Sequence, residues 1–303
     1  MRFVLRKPHH ARVLAIAQHA RAKWLVRKRK ISRRKISKAC ISNGIIVELW
    51  NRASRSARRL RAVFDVGVDA VLTQLIQDLQ NGNVQSAVIW FTGTFLAVII
   101  GISLHEFSHA LIAYRLGDMS PVRDGRLTIN PMAHFDVLGT IMILFIGFGY
   151  GKPVMVNPYA FRIDRRTGMA LVAIAGPITN ILIALVFGLT VRLLIYMFTE
   201  TESLALVPVI QIFSIIVLLN VGLALFNMIP FPPLDGSKVL LALLPGEMAY
   251  SVEKFYVQTQ QFGMIVLMLL IWVGGGFIGS LLSTPQFALF SLFASPQAFL
   301  FLQ

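Results

Sequence analysis

The pentad His105-Glu106-Phe107-Ser108-His109 places two imidazoles four positions apart, with a carboxyl between them. On a helix, positions i and i+4 share a face one turn apart, and that spacing lets two histidines grip a single tetrahedral zinc ion. Glu106 then falls about 100° round the helix, near the ion but outside its ligand set. There it could take a proton from water that the metal has acidified towards neutrality. The run leading into the pentad, "AVIWFTGTFLAVIIGISL" (87–104), is apolar enough for a membrane. Charge is costly in lipid, so an intramembrane glutamate beside two histidines points to function. The alternative is a chance H-E-x-x-H whose histidines are satisfied by neighbouring helices, an accident rarer still inside an apolar run.

A catalytic zinc keeps three protein ligands and one open position. Cys40 is the only cysteine, so the third ligand must be His, Asp or Glu. Beyond residue 62 the only other histidine is His134, and the better candidate is Asp235 in "NMIPFPPLDG" (227–236). Pro230, Pro232 and Pro233 must stop any helix entering that stretch, because each fixes its own φ and lacks an amide hydrogen. The chain would unwind at membrane depth and deliver a carboxylate, with Gly236 permitting close approach. Taken alone, the stretch reads as an ordinary helix-ending proline cluster with a capping Asp; paired with the HEFSH helix, it reads as a ligand.

The elements that must position these residues are membrane spans. Of the 303 residues, 56% are hydrophobic and 14% are charged, whereas soluble domains carry about 25% charged residues. Residues 87–104, continued through the histidines, 169–191, 204–229 and 262–282 are each long enough to cross a bilayer core of about 20 helical residues. Residues 135–149 are too short to cross and suit a re-entrant hairpin packed on protein. The tail at 286–302 is apolar but broken by Ser295, Pro296 and Gln297, which suits a weak further element or a surface helix. The expected fold is therefore an all-α polytopic membrane protein of 4–6 transmembrane helices, with a re-entrant or short β-containing element near the active-site face. Four regions follow: a basic extension (1–62), an amphipathic surface helix (63–82), a membrane-embedded core (83–284) and an apolar C-terminal segment (285–303).

Charge is unevenly placed. Residues 1–61 hold 19 of the 29 Lys and Arg and a single acid, Glu48. That composition reads as a basic arm touching anionic lipid or nucleic acid, as a transit peptide, or as a translation start set too far upstream. No secretory signal is expected, since no apolar core with a small-residue cleavage site is present. In the short loops, Arg115, Arg123, Arg126, Lys152, Arg162, Arg165 and Arg166 flank the end of the first span and the start of the second. Lys238 follows the third span, and the opposite connection, "TETES" (199–203), is acidic. Short-loop charge places the basic face in the cytoplasm.

The HEFSH span, "GYGKPVMVNP" (149–158), "AGPITN" (175–180) and "NMIPFPPLDG" together resemble the site-2 proteases, a family of intramembrane zinc metalloproteases, in that family's order. The likeness covers roughly residues 87–282 and is nearest to short members without PDZ or CBS domains; the basic first 61 residues have no counterpart there. The resemblance implies His105, His109 and Asp235 as ligands of one Zn2+ and Glu106 as general base. It also implies Asn227 as a group polarising the scissile carbonyl, and Asn180 as an asparagine near the site. The activity implied is hydrolysis of peptide bonds within or near transmembrane helices. The expected partners are a transmembrane substrate protein and the lipid bilayer, with no nucleic acid. The expected location is the plasma membrane, or an organelle membrane, with the site nearer the cytoplasmic face. "GRLTINP" (125–131) and "KPVMVNP" (152–158) read as extended pieces that could add an unwound substrate as a strand or pair with each other. Two other classes compete. A metal transporter would need more polar residues in the spans than Asn180, Gln211 and Asn220. A catalytically silent scaffold would be expected to lose one of His105, Glu106, His109 or Asp235.

Overall fold

The computed structural model describes residues 76–136, 139 and 151–302. The basic extension, residues 63–75 of the expected amphipathic helix and nearly all of the 135–149 hairpin lie outside the described residues; residues 76–80 are helical. Among the described residues there is no strand. Long unbroken apolar runs form helices here because in lipid every backbone amide must find its partner within the segment. The first, α1 (Val84–Arg115), carries the pentad in its last three turns and ends on basic Arg115. Two single-turn helices follow, α2 (Ser120–Arg123) and α3 (Pro131–His134). The next long helix, α4 (Arg165–Thr201), starts at Asp164, whose carboxylate accepts the Thr167 N–H. These bonds to Thr167 hold the Asp164 carboxyl below its usual range.

Helix α4 ends at Glu202 in the left-handed conformation, and the chain reverses into α5 (Val207–Asn227). After the proline-rich turn come α6 (Asp235–Leu243) and the 49-residue α7 (Gly246–Ala294). Among the described residues, three segments are long and apolar enough to cross a membrane: Val84–Arg115, Arg165–Thr201 and Leu204–Asn227. Residues 262–282, expected as a further span, lie inside α7.

Helices α1, α4 and α5 pack on one another, with Ala97, Ile183 and Ile216 meeting in one apolar cluster. Small residues set the crossings, since a membrane bundle relies on close backbone approach rather than on hydrophobic exclusion. A Cβ on Gly93 would lie 2.8 Å from Ile215, and one on Gly188 would lie 2.7 Å from Phe293. The expected boundary between residues 284 and 285 falls within α7, which passes through Pro285 without ending. Nor is 286–302 a surface helix. Phe290, Ala294, Ala298 and Phe301 are buried against Val191 and Phe198 of α4 and Ile210 and Val217 of α5. The apolar faces of α4 and α5 that α1 leaves uncovered take up the tail.

Arg192 fastens that tail. Its Nε donates to Phe293 O at 2.7 Å, and one terminal nitrogen donates to Leu292 O and to Ser291 O, the latter also accepting the Ser295 N–H, at the C-terminal end of α7. Unsatisfied helix-end carbonyls are costly away from water. Arg192→Leu is therefore expected to destabilise the protein by about 1–3 kcal/mol. The measurement is a lowered thermal unfolding temperature in detergent; an unchanged one would show that the clamp contributes nothing.

Candidate metal centre

The C-terminal end of α1, the start of α4 and the end of α5 gather at one end of the bundle. Arg162 N–H donates to Leu116 O at 2.8 Å, tying the approach to α4 onto the end of α1. Asp118 is buried just past α1; it accepts the Ser120 N–H at 2.9 Å and the Asn157 N–H at 2.7 Å. Lys152 N–H donates to His134 O. These bonds hold the non-helical stretch 151–157 beside the pentad.

The third element arrives through the proline turn. Helix α5 stops at Asn227, and the turn that follows is braced by the Tyr256 hydroxyl, which donates to Pro230 O at 2.8 Å. Asp235 is the first residue of α6, where the positive end of the helix dipole favours an anion. Gly236 is required next: a Cβ there would lie 2.3 Å from Met228 O, a backbone atom that cannot move aside.

His105, His109 and Asp235 converge. Asp235 Oδ2 lies 3.2 Å from His105 Nε2 and 3.2 Å from His109 Nε2, and one ligand atom from each residue falls within 4.8 Å of the others. The far ring nitrogens decide what this means. His109 Nδ1 lies 2.7 Å from Val172 O, and His105 Nδ1 lies 2.6 Å from Asn180 Oδ1. Both partners are acceptors, so both Nδ1 atoms carry the proton, and a neutral imidazole then presents a bare Nε2. In that form two ring nitrogens and a carboxylate oxygen face one another, a donor set that a metal cation would bind. The nitrogen and oxygen donors suit zinc, and histidine ligands whose other nitrogen is hydrogen-bonded are the usual form of such a site. Asp235 Oδ1 is taken up by Lys238 Nζ at 3.1 Å, which leaves Oδ2 to the centre.

Glu106 stands beside this triad, its Oε2 accepting the Val154 N–H at 3.2 Å. The arrangement can therefore hold a metal, a water and a base together. Asn180 reaches His105 directly. Asn227 does not reach the histidines: its amide donates to Leu223 O one turn back in its own helix. His134 is fully buried and bonded to Thr128 O, in the layer over the site rather than in the triad. Two residues escaped the sequence reading. Gly176 touches the His105 ring, where a Cβ would lie 2.5 Å from it, and Asn220 donates and accepts behind Asn180. The signals were that Gly176 lies in the AGPITN stretch and that Asn220 is polar within an apolar span.

The family described as Peptidase family M50 matches residues 191–271, the segment that includes Asp235. "Putative zinc metalloprotease YwhC" of Bacillus subtilis is 38% identical over 176 residues, 58% of this chain and 78% of that protein. The chain belongs to peptidase family M50. "Putative zinc metalloprotease Rip2" of Mycobacterium tuberculosis is 29% identical over 190 residues, 59% of this chain and 68% of that protein. "Putative zinc metalloprotease MJ0611" of Methanocaldococcus jannaschii is 30% identical over 183 residues, 59% of this chain and 83% of that protein. No solved structure matches at the same stringency. Membership of M50, with three helices of spanning length and apolarity, makes the chain a membrane protein and a metallopeptidase of the site-2 type.

Proposed function

We propose that this M50 chain is an intramembrane zinc endopeptidase that hydrolyses peptide bonds within or near the transmembrane helices of other membrane proteins. The observation that carries the reading is the meeting of His105 Nε2 and His109 Nε2, beside Glu106 on a helix long and apolar enough to cross a bilayer, with Asp235 Oδ2 from α6. His105, His109 and Asp235 would hold the ion. When bound, zinc supplies a Lewis acid and an acidified water at a depth where free water is scarce.

The protein's own groups do the rest. Glu106, with Oε2 held by the Val154 amide, has its other oxygen free to take the proton of the attacking water and pass it to the leaving nitrogen. Asn227 would turn its amide from Leu223 O to the scissile carbonyl. A substrate helix must open first, since its carbonyls are occupied by i to i+4 bonds. The stretch at 151–157 is the place on this reading where the opened segment would lie. The basic loops around Arg115, Arg123, Arg162 and Arg166 favour a cytoplasmic position for the site end. On this reading the core has 4–6 spans and sits in the plasma membrane.

The test is reversible metal removal. Purified protein incubated with a single-span membrane substrate should lose cleavage when zinc is stripped by a chelator and regain it on adding zinc. Cleavage that survives complete stripping would overturn the assignment.

A further inference from the structure

We propose that Asn220, buried in the middle of α5, is a positioning residue that sets the polarity of the hydrogen-bond chain behind His105 and so keeps its Nε2 bare towards the metal site. The inference rests on the reading of His105 as a ligand.

The chain runs through all three packed helices. Asn220 Nδ2 donates to Ile216 O at 2.9 Å, one turn back in α5. Asn220 Oδ1 accepts from Asn180 Nδ2 of α4 at 2.9 Å, and the same Nδ2 also reaches Gly101 O of α1 at 3.3 Å. Asn180 Oδ1 then faces His105 Nδ1 at 2.6 Å. Both asparagines are 0% exposed, so water cannot substitute for any partner. Gly101 makes the room: a Cβ there would lie 2.8 Å from Asn220 Oδ1.

An amide has one accepting end and one donating end, and only its partners decide which way it points. Turning Asn220 over would set its oxygen against Ile216 O and its nitrogen against the Asn180 nitrogen. Turning Asn180 over would set its oxygen against both Asn220 Oδ1 and Gly101 O, and its NH2 against His105 Nδ1. In that second case His105 would have to carry its proton on Nε2, where the ion binds. A helix carbonyl in α5 therefore dictates, through two amides, the tautomer of an imidazole in α1. Without the Asn220 oxygen, Asn180 keeps only the longer bond to Gly101 O, and its orientation is no longer enforced. Asn220→Asp in its protonated form keeps both bonds, its O–H donating to Ile216 O and its carbonyl oxygen accepting from Asn180 Nδ2, whereas Asn220→Leu fills similar space and makes neither.

The first measurement is nitrogen NMR of metal-free, 15N-histidine-labelled protein at alkaline pH, with His105 assigned by comparison with His105→Gln. Wild type and Asn220→Asp should show Nδ1 protonated and Nε2 bare; Asn220→Leu should shift towards the Nε2-protonated form. The second is zinc affinity by competition with a chromophoric chelator. Asn220→Leu should bind about tenfold more weakly, the usual loss when a group behind a ligand is removed, and Asn220→Asp should stay close to wild type. An Nε2-protonated His105 in wild type overturns the proposal. So does an Asn220→Asp variant that loses as much as Asn220→Leu, because the position would then matter only for packing. If Asn220→Leu does not fold, wild type and Asn220→Asp still decide. Wild type that binds no zinc yet shows the Nδ1 proton would sink the metal reading and leave the relay standing.

Discussion

Glu106→Gln should lower the cleavage rate by about 10²–10⁴-fold, the usual contribution of a positioned general base, with zinc affinity unchanged. The geometry makes this a clean substitution. Glu106 is not among the three convergent ligand atoms, so removing its charge takes nothing from their donor set. Its hydrogen-bond partner is the Val154 N–H, and the amide oxygen of glutamine accepts that bond as well as a carboxylate oxygen does. The side chain keeps its length and its anchor and loses only the ability to take a proton. Cleavage of a single-span substrate, measured beside zinc content, separates the outcomes. Full zinc occupancy with lost cleavage identifies the base, whereas cleavage near wild type would mean that the proton goes elsewhere. Loss of zinc together with activity would show that Glu106 belongs to the ligand set after all.

The second large effect lies at a residue with no side chain. A Cβ on Gly176 would stand 2.5 Å from His105 Cε1, 2.6 Å from Nε2 and 2.7 Å from Nδ1. An imidazole is rigid, and this one is wedged between Gly176 and Asn180, which share a face of α4 one turn apart. Gly176→Ala leaves two responses. Either His105 swings away and breaks its 2.6 Å bond to Asn180, or α1 and α4 separate and the His109 bond to Val172 O lengthens too. Both move a ligand nitrogen off Asp235 Oδ2. Zinc affinity should fall by about 10–100-fold, the range seen when the support of a ligand is lost, and cleavage should fall with it. Gly246→Ala is the control: it stands at the start of α7, where a Cβ would have nothing within 4 Å, and it should be silent. Wild-type affinity in Gly176→Ala would show that the helices have slack the contact distances do not suggest.

The chemistry was visible before the fold. His105, Glu106 and His109 carry their meaning in their spacing, because a helix turns that spacing into a shared face wherever it lies. The three prolines before Asp235 likewise force a break whatever surrounds them, and Gly236 marks a close approach. Three of the spans were equally plain, because length and apolarity are properties of a segment alone. Asn227 shows where local reading stops. The family resemblance implies a carbonyl-polarising group there, and in the folded chain its amide donates to Leu223 O.

What the sequence determined by itself is thus the ligand set it offers and the helices that carry it. The tertiary structure alone decided which helix faces meet. Apolar segments that are hydrophobic all round have no polar side to say which way they turn. For that reason Gly176 against His105, Asn220 behind Asn180, and the burial of Phe290 and Phe301 between α4 and α5 could not be read from residue order. Each of these contacts joins residues more than 35 positions apart in the chain, and each depends on the angle at which two helices cross, which small residues on both partners set together.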